Sequence, residues 1–243
     1  MGSHRTHNRL ILELGDARRP RKGAMTDAVN RLTHPDTTSE GSPSMAKPYP
    51  AQLECDIMTV TGVKLHMRPI RPDAAQSLVN FHLQLSSGSI YRRYFAVHPE
   101  LSAKEVEHLT TVDYVDRFAY IIEDGEELVA VGRYDRIPKT TDAEVAFLVT
   151  DHYQHHGIGI LLLWHLARAA RPNGITHFVA ETQADNRGML GVFRDSGYPL
   201  TTSIEDEIVS LRFPIQSTEQ SHAHFLRRTT LFEPEEPGDE GSS

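Results

Sequence analysis

From Val149 the chain reads Val-Thr-Asp-His-Tyr-Gln-His-His-Gly-Ile-Gly and then runs straight into Ile160-Leu161-Leu162-Leu163-Trp164. This is the pattern of a strand that ends in a loop and enters a helix. The first N–H groups of a helix have no partner inside it, and the macrodipole adds partial positive charge there. A diphosphate can therefore bind without a lysine. Glycines at 157 and 159 let the backbone approach such a ligand. No Gly-Lys-Ser/Thr follows, as a P-loop requires, and the spacing is not the Gly-x-Gly-x-x-Gly of a dinucleotide fold. Gln154, His155, His156, Gly157, Ile158 and Gly159 are thus the candidate anion site. The same glycines also suit a tight turn or close helix packing, and their spacing alone leaves both readings open.

Around this loop the pattern predicts strand, helices, hairpin, strand, loop, helix, strand, helix, hairpin. Val63, Leu65 and Met67 alternate with polar residues before Pro69 and Pro72, as in a half-buried first strand. Ala74, Leu78, Phe81 and Leu85 give the next segment one apolar helical face. A short second helix is expected over Ser89–Phe95. Ser102-Ala-Lys-Glu105 has the Ser-x-x-Glu of a capping box. Asp124-Gly125 suits a tight turn between strands at Phe118–Ile122 and Leu128–Tyr134. Ala143 to Val149 is the next strand; alternation puts Glu144, Ala146 and Leu148 on one side and Val145, Phe147 and Val149 on the other. The helix after the loop should end near Arg171, before Pro172-Asn173-Gly174. Ile175 to Thr182 and Ile204 to Phe213 read as the last strands.

The Gln154-x-x-Gly157-x-Gly159 loop, with Val149 ten positions before its last glycine, resembles the acetyl-CoA pyrophosphate loop of the GNAT superfamily of N-acetyltransferases. Asn186, Leu190, Arg194 and Gly197-Tyr198 are similar in spacing to that superfamily's last helix and its stop. The resemblance covers roughly residues 63 to 213. It implies an α/β (α+β) fold with a mixed, largely antiparallel sheet of six or seven strands, helices on both faces, and a splayed strand pair holding acetyl-CoA. Ser89 to Phe95, Thr110 to Arg117 and Ala143-Glu-Val-Ala146 resemble, more narrowly, the catalytic domain of bacterial protein lysine acetyltransferases of the mycobacterial type. Some of those carry a cyclic-nucleotide-binding domain. The roughly 60 residues ahead of the fold are too few for one, so it is not expected here.

An amine attacks an acyl group only as the free base, and a lysine with a pKa of ~10.4 is only about a thousandth neutral near pH 7.4. The resemblance makes Glu144 the general base, acting directly or through water. It gives Phe147, Leu148 and Val149 the pantetheine arm and the thioester, with the Leu148 N–H as oxyanion donor. Residues Gln154 to Gly159 would take the pyrophosphate, and Asn186 the CoA arm. Where many relatives place a tyrosine that protonates the leaving thiolate, this chain has Phe193, which cannot donate a proton. Tyr198 stands nearby in sequence, at the helix stop. The tyrosines and arginines of residues 91 to 94 also fit a purely structural role, packing a helix on the sheet.

Composition agrees with one such domain and two tails. Of 243 residues, 1–50 and 217–243 are poor in large apolar side chains and should not build cores; the latter is acidic, and 51–216 form the domain. No segment has a signal peptide's apolar core or the roughly eighteen residues of a membrane span, so a cytoplasmic location is expected. A formal net charge of -8 argues against a broad nucleic-acid surface. The single cysteine, Cys55, excludes an internal disulfide, and His152, His155 and His156 lack a second ligand cluster at a zinc spacing, so no metal is expected. The reading that follows is an acetyl-CoA-dependent acetyltransferase for a protein lysine, with acyl-CoA synthetases the substrate class the resemblance suggests. A small-molecule amine acetyltransferase and a non-catalytic acyl-CoA-binding regulator are the alternatives.

Overall fold

A computed structural model of the chain describes residues 46–94 and 100–218, with Ala223. The expectations for 1–45, for Phe95 and for most of the acidic tail fall outside these residues. Eight strands form one sheet: β1 (Cys55–Met58), β2 (Lys64–Pro69), β3 (Arg117–Asp124), β4 (Glu127–Arg136), β5 (Asp142–Val149), β6 (His177–Gln183), β7 (Thr201–Glu205) and β8 (Ile208–Pro214). Their order is β1-β2-β3-β4-β5-β6-β8-β7. Every neighbouring pair is antiparallel except β5 and β6.

The parallel pair needs a crossover, and α4 (Ile158–Ala170) supplies it. This helix buries nine residues, from Ile158 to Ala170, against one face of the sheet. Met189, Leu190 and Val192 of α5 (Arg187–Arg194) join the same face. The other face is covered by α1 (Ala75–Gln84), α2 (Ser87–Tyr94) and α3 (Ala103–Thr110), where Leu78, Phe81, Ile90 and Leu109 meet Ala119, Ile121 and Val131. The predicted capping box starts α3: Ser102 Oγ accepts from the Glu105 N–H while Glu105 accepts from the Ser102 N–H.

Two expectations need correction. Among the described residues the sheet has eight strands, not six or seven: β1 is four residues long, and the closing hairpin is made by β7 and β8, with its turn inside the stretch read as one strand from Ile204 to Phe213. Its turn is made by Asp206 and Glu207 with φ of 49° and 66°, a left-handed conformation reached without glycine. β7 is exposed along its whole length, so it carries no burial alternation. The domain also begins before residue 51. The Lys47 N–H bonds Asp113 O at 3.0 Å, and the Tyr49 ring meets Tyr114 edge-on at 5.9 Å with the Arg71 guanidinium 4.9 Å over its face. Among the described residues no helix is long and apolar enough to cross a membrane.

Candidate active site

β5 and β6 pair only through Asp142↔His177, Ala143↔Phe178 and Glu144↔Val179; beyond that rung β6 continues with β8 alone. The parallel strands therefore part at Glu144, and a cavity of about 450 Å³ opens between them. It reaches Ser89, Arg92 and Arg93 of α2 on one face of the sheet and the start of α4 and of α5 on the other. That volume suits a small-molecule site.

Which backbone groups face the gap follows from the ladder. The Thr150 N–H bonds Val129 O at 3.0 Å and the Ile137 N–H bonds Asp142 O at 2.9 Å. With the unbroken register from Ala130↔Val149 to Arg136↔Ala143, the even-numbered residues of β5 turn their backbones to β4. The Leu148 N–H thus faces Val131, which corrects its expected role as oxyanion donor. Odd-numbered residues face β6, so the Phe147 N–H and C=O and the Val149 N–H open into the cleft. Side chains alternate as expected: Phe147 packs with the α4 core, while Leu148 packs with the opposite one.

At the wide end the cleft meets the loop. Gly157 caps α4 with φ of 81°, and His155, exposed at the cavity, has φ of 66°. The first intrahelical bonds are those of Ile160 and Leu161 to Gly157 O, which leaves the Ile158 and Gly159 N–H groups ahead of the helical ladder. A group with a negative diphosphate fits this start. The glycines themselves have local reasons. A Cβ on Gly157 would lie 3.2 Å from Val60, and one on Gly159 only 2.7 Å from Val192 of α5. Close helix packing, the reading the spacing left open, accounts for Gly159.

Three expected ligand residues are engaged elsewhere. Gln154 Nε2 donates to Asp151 at 2.9 Å, and to Ser89 Oγ and Val149 O at 3.3 Å each, so its side chain ties the loop to α2 and β5. His156 Nδ1 pairs with the Thr61 hydroxyl at 2.9 Å in the turn between β1 and β2. Asn186 Oδ1 caps α5 by accepting from the Met189 N–H at 3.2 Å, and the residue lines the cavity. Phe193 is 1% exposed and packs between Phe147 and Phe213, at 6.2 and 5.7 Å; Tyr198 stacks on Phe213 away from the cavity wall. Arg92 and Arg93 line the cavity and Tyr91 is 48% exposed.

At the narrow end stands Glu144, where the strands part; the cavity wall starts one residue on, with Val145 and Ala146. Burial pushes its carboxyl up to about 7; Arg93 and Arg133 pull against this, and Asp135 and Glu181 add to it. Asp135, directly across β4, accepts from Arg133 Nε at 3.0 Å and Arg117 Nε at 3.2 Å. Its own burial would raise it, yet those two guanidiniums hold it below the usual carboxylate range. Two neighbouring carboxylates are thus tuned in opposite directions, Glu144 up to about 7 and Asp135 below the usual range. Ser89, Arg93 and Asp151 sit in segments the sequence singled out but were given no site role there, and Glu181 sits in none; tertiary contact is what brings all four to the site.

Residues 88–198 match the model of the Acetyltransferase (GNAT) family. The GNAT domain of S. lividans PAT is 42% identical, with a TM-score of 0.65 over 69% of this chain and 99% of that one. This chain belongs to the GNAT acetyltransferase family. It is also similar to Acetyltransferase Pat of Mycolicibacterium smegmatis, 34% identical over 145 residues, which is 58% of this chain but 41% of that relative. yncA from Salmonella typhimurium, solved with acetyl-CoA, shares the fold at a TM-score of 0.51 with 10% identity over 64% of this chain and 96% of its own. The residues that match the family model include the whole lining of the cleft.

Proposed function

We propose that this protein transfers the acetyl group of acetyl-CoA directly to the ε-amine of a lysine in a protein, with Glu144 as general base. The observation that carries the reading is Glu144 itself: a carboxyl poised at about 7, placed where β5 and β6 part. A base with that pKa is half ionised at neutral pH and can accept a proton from an arriving ammonium group. The resemblance of Ser89 to Phe95, Thr110 to Arg117 and Ala143 to Ala146 to bacterial protein lysine acetyltransferases favours a protein lysine over a small amine, and acyl-CoA synthetases are the acceptor class it suggests.

Each step falls to a named group. The start of α4 binds the diphosphate through the Ile158 and Gly159 N–H groups, and Asn186 Nδ2 and Val149 hold the pantetheine arm. Glu144 takes a proton from the lysine, and the freed nitrogen attacks the thioester carbon. The Phe147 N–H, aimed into the cleft, bonds the carbonyl oxygen as it gains negative charge. Collapse breaks the carbon–sulfur bond, its electron pair stays on sulfur, and the nitrogen gives up its second proton to solvent, leaving the neutral amide and a CoA thiolate. The test is to incubate the protein with labelled acetyl-CoA and a soluble lysate, and to map acetylated lysines beside a Glu144→Gln control. Label on specific lysines that the control loses supports the proposal; no labelled lysine, or equal labelling by the control, contradicts it.

A further inference from the structure

The β6 wall of the cavity carries a polar group with no role in the steps above. Thr182 is 1% exposed, lines the cavity, and its hydroxyl has no hydrogen-bond partner among the described residues. Buried hydroxyls are nearly always paired, so this one calls for a partner that the protein alone does not provide. Carrying the parallel register three residues past Glu144↔Val179 sets Thr182 opposite Phe147, whose N–H opens into the same gap. By strand alternation its side chain lies on the α4 side with Phe178 and Ala180, both in that core. Phe193, which also lines the cavity, offers no donor.

We propose that Thr182 donates a hydrogen bond to the sulfur of CoA and stabilises it as the leaving thiolate. This rests on the acetyl transfer proposed above. As the amine nitrogen bonds the acetyl carbon, the carbon–sulfur bond breaks and its electron pair stays on sulfur. Glu144 already holds the first proton of the ammonium, the second leaves the nitrogen to solvent, and Thr182 keeps its own. An alcohol is a far weaker acid than a thiol, whose pKa is about 8.5, so the hydroxyl donates a hydrogen bond to the thiolate but not its proton. The bond is stronger to the thiolate than to the thioester, which makes the contribution one to turnover more than to cofactor binding.

The test uses the full chain with Thr182→Val, which keeps the shape without the hydroxyl, and Thr182→Ser, which restores it. Dissociation constants for CoA and for desulfo-CoA are measured at pH 8.5, together with kcat and the KM for acetyl-CoA. The expected result is a preference of CoA over desulfo-CoA that falls about tenfold in Thr182→Val. kcat should fall by a similar factor with KM little changed, and Thr182→Ser should recover both. Should Thr182→Val not fold, Thr182→Ala carries the same comparison. If the wild type binds CoA and transfers acetyl groups but the preference does not move in a folded variant, this inference fails alone. If the wild type binds no CoA, the acetyl-transfer reading fails and this one with it.

Discussion

The two ends of the cleft are built by different means. At the wide end the site is backbone: the start of α4, the αL residues His155 and Gly157, and the free edge of β5. At the narrow end it is side chains gathered from distant places: Glu144 from β5, Asp135 and Arg133 from β4, Glu181 from β6 and Arg93 from α2. Backbone donors are fixed by secondary structure and tolerate many side chains. A carboxyl held at about 7 depends on every neighbour. Damage at the wide end should therefore appear as weaker cofactor binding coupled to fold stability, and damage at the narrow end as slower turnover with binding intact.

The largest change in stability is expected from Gly159→Ala, whose methyl would lie 2.7 Å from a Val192 methyl. Overpacking of this kind costs about 1–3 kcal/mol. Adding Val192→Ala should restore both thermal stability and CoA affinity. If the double variant regains stability but not affinity, Gly159 serves the cofactor and the packing account fails. Next comes the docked N-terminal segment: a chain of residues 46–218 should unfold like the full protein, while one starting at 51 should lose roughly 1 kcal/mol with the Tyr49 contacts to Tyr114 and Arg71. Denaturant unfolding of the two truncated chains decides it. Gln154→Ala should weaken CoA binding by about threefold, since it releases one hydrogen-bonded tie of the loop and no direct anion contact. A loss of a hundredfold in calorimetry would mean the side chain binds the ligand itself.

The smallest effect is a pH-dependent one on stability. Burial raises the Glu144 pKa in the folded state above the ordinary 4.5, so folding takes up protons between that value and about 7. The stability this favours is fully present below about pH 4.5 and lost as pH rises through about 7. Glu144→Gln cannot ionise. Its melting temperature should exceed that of the wild type at pH 8, by an amount that vanishes near pH 4.5. A difference that does not change with pH would place the carboxyl's pKa elsewhere.

The contrast between the ends also explains what the sequence could show. The loop was legible because anion binding at a helix start needs a local pattern, Gln154-x-x-Gly157-x-Gly159 after an alternating strand, and local patterns survive in one dimension. The parting of β5 and β6 was legible only through the resemblance. Which β5 amides face the gap depends on strand register, so the oxyanion donor was given to Leu148 when the ladder turns the Phe147 N–H that way. Glu144 came from the resemblance too; the pairing of its raised carboxyl with the ionised Asp135 spans two strands and an arginine pair, and no spacing encodes it. A closing hairpin was legible, but the place of its turn was not, because Asp206-Glu207 uses positive φ without glycine or asparagine and β7 carries no burial alternation.

The central claim is that Glu144 accepts the proton of the acceptor lysine. It is tested most directly by kcat of the wild type and Glu144→Gln across pH 6 to 10, with an acceptor protein carrying a mapped lysine. The wild-type rate should rise through about pH 7 as the carboxyl ionises. Glu144→Gln should fall about a hundredfold or more below it at neutral pH with acetyl-CoA affinity kept. That deficit should then shrink toward pH 10, where more of the lysine is already neutral. A variant with near-normal turnover at pH 7, or a deficit constant over the whole range, would contradict the assignment.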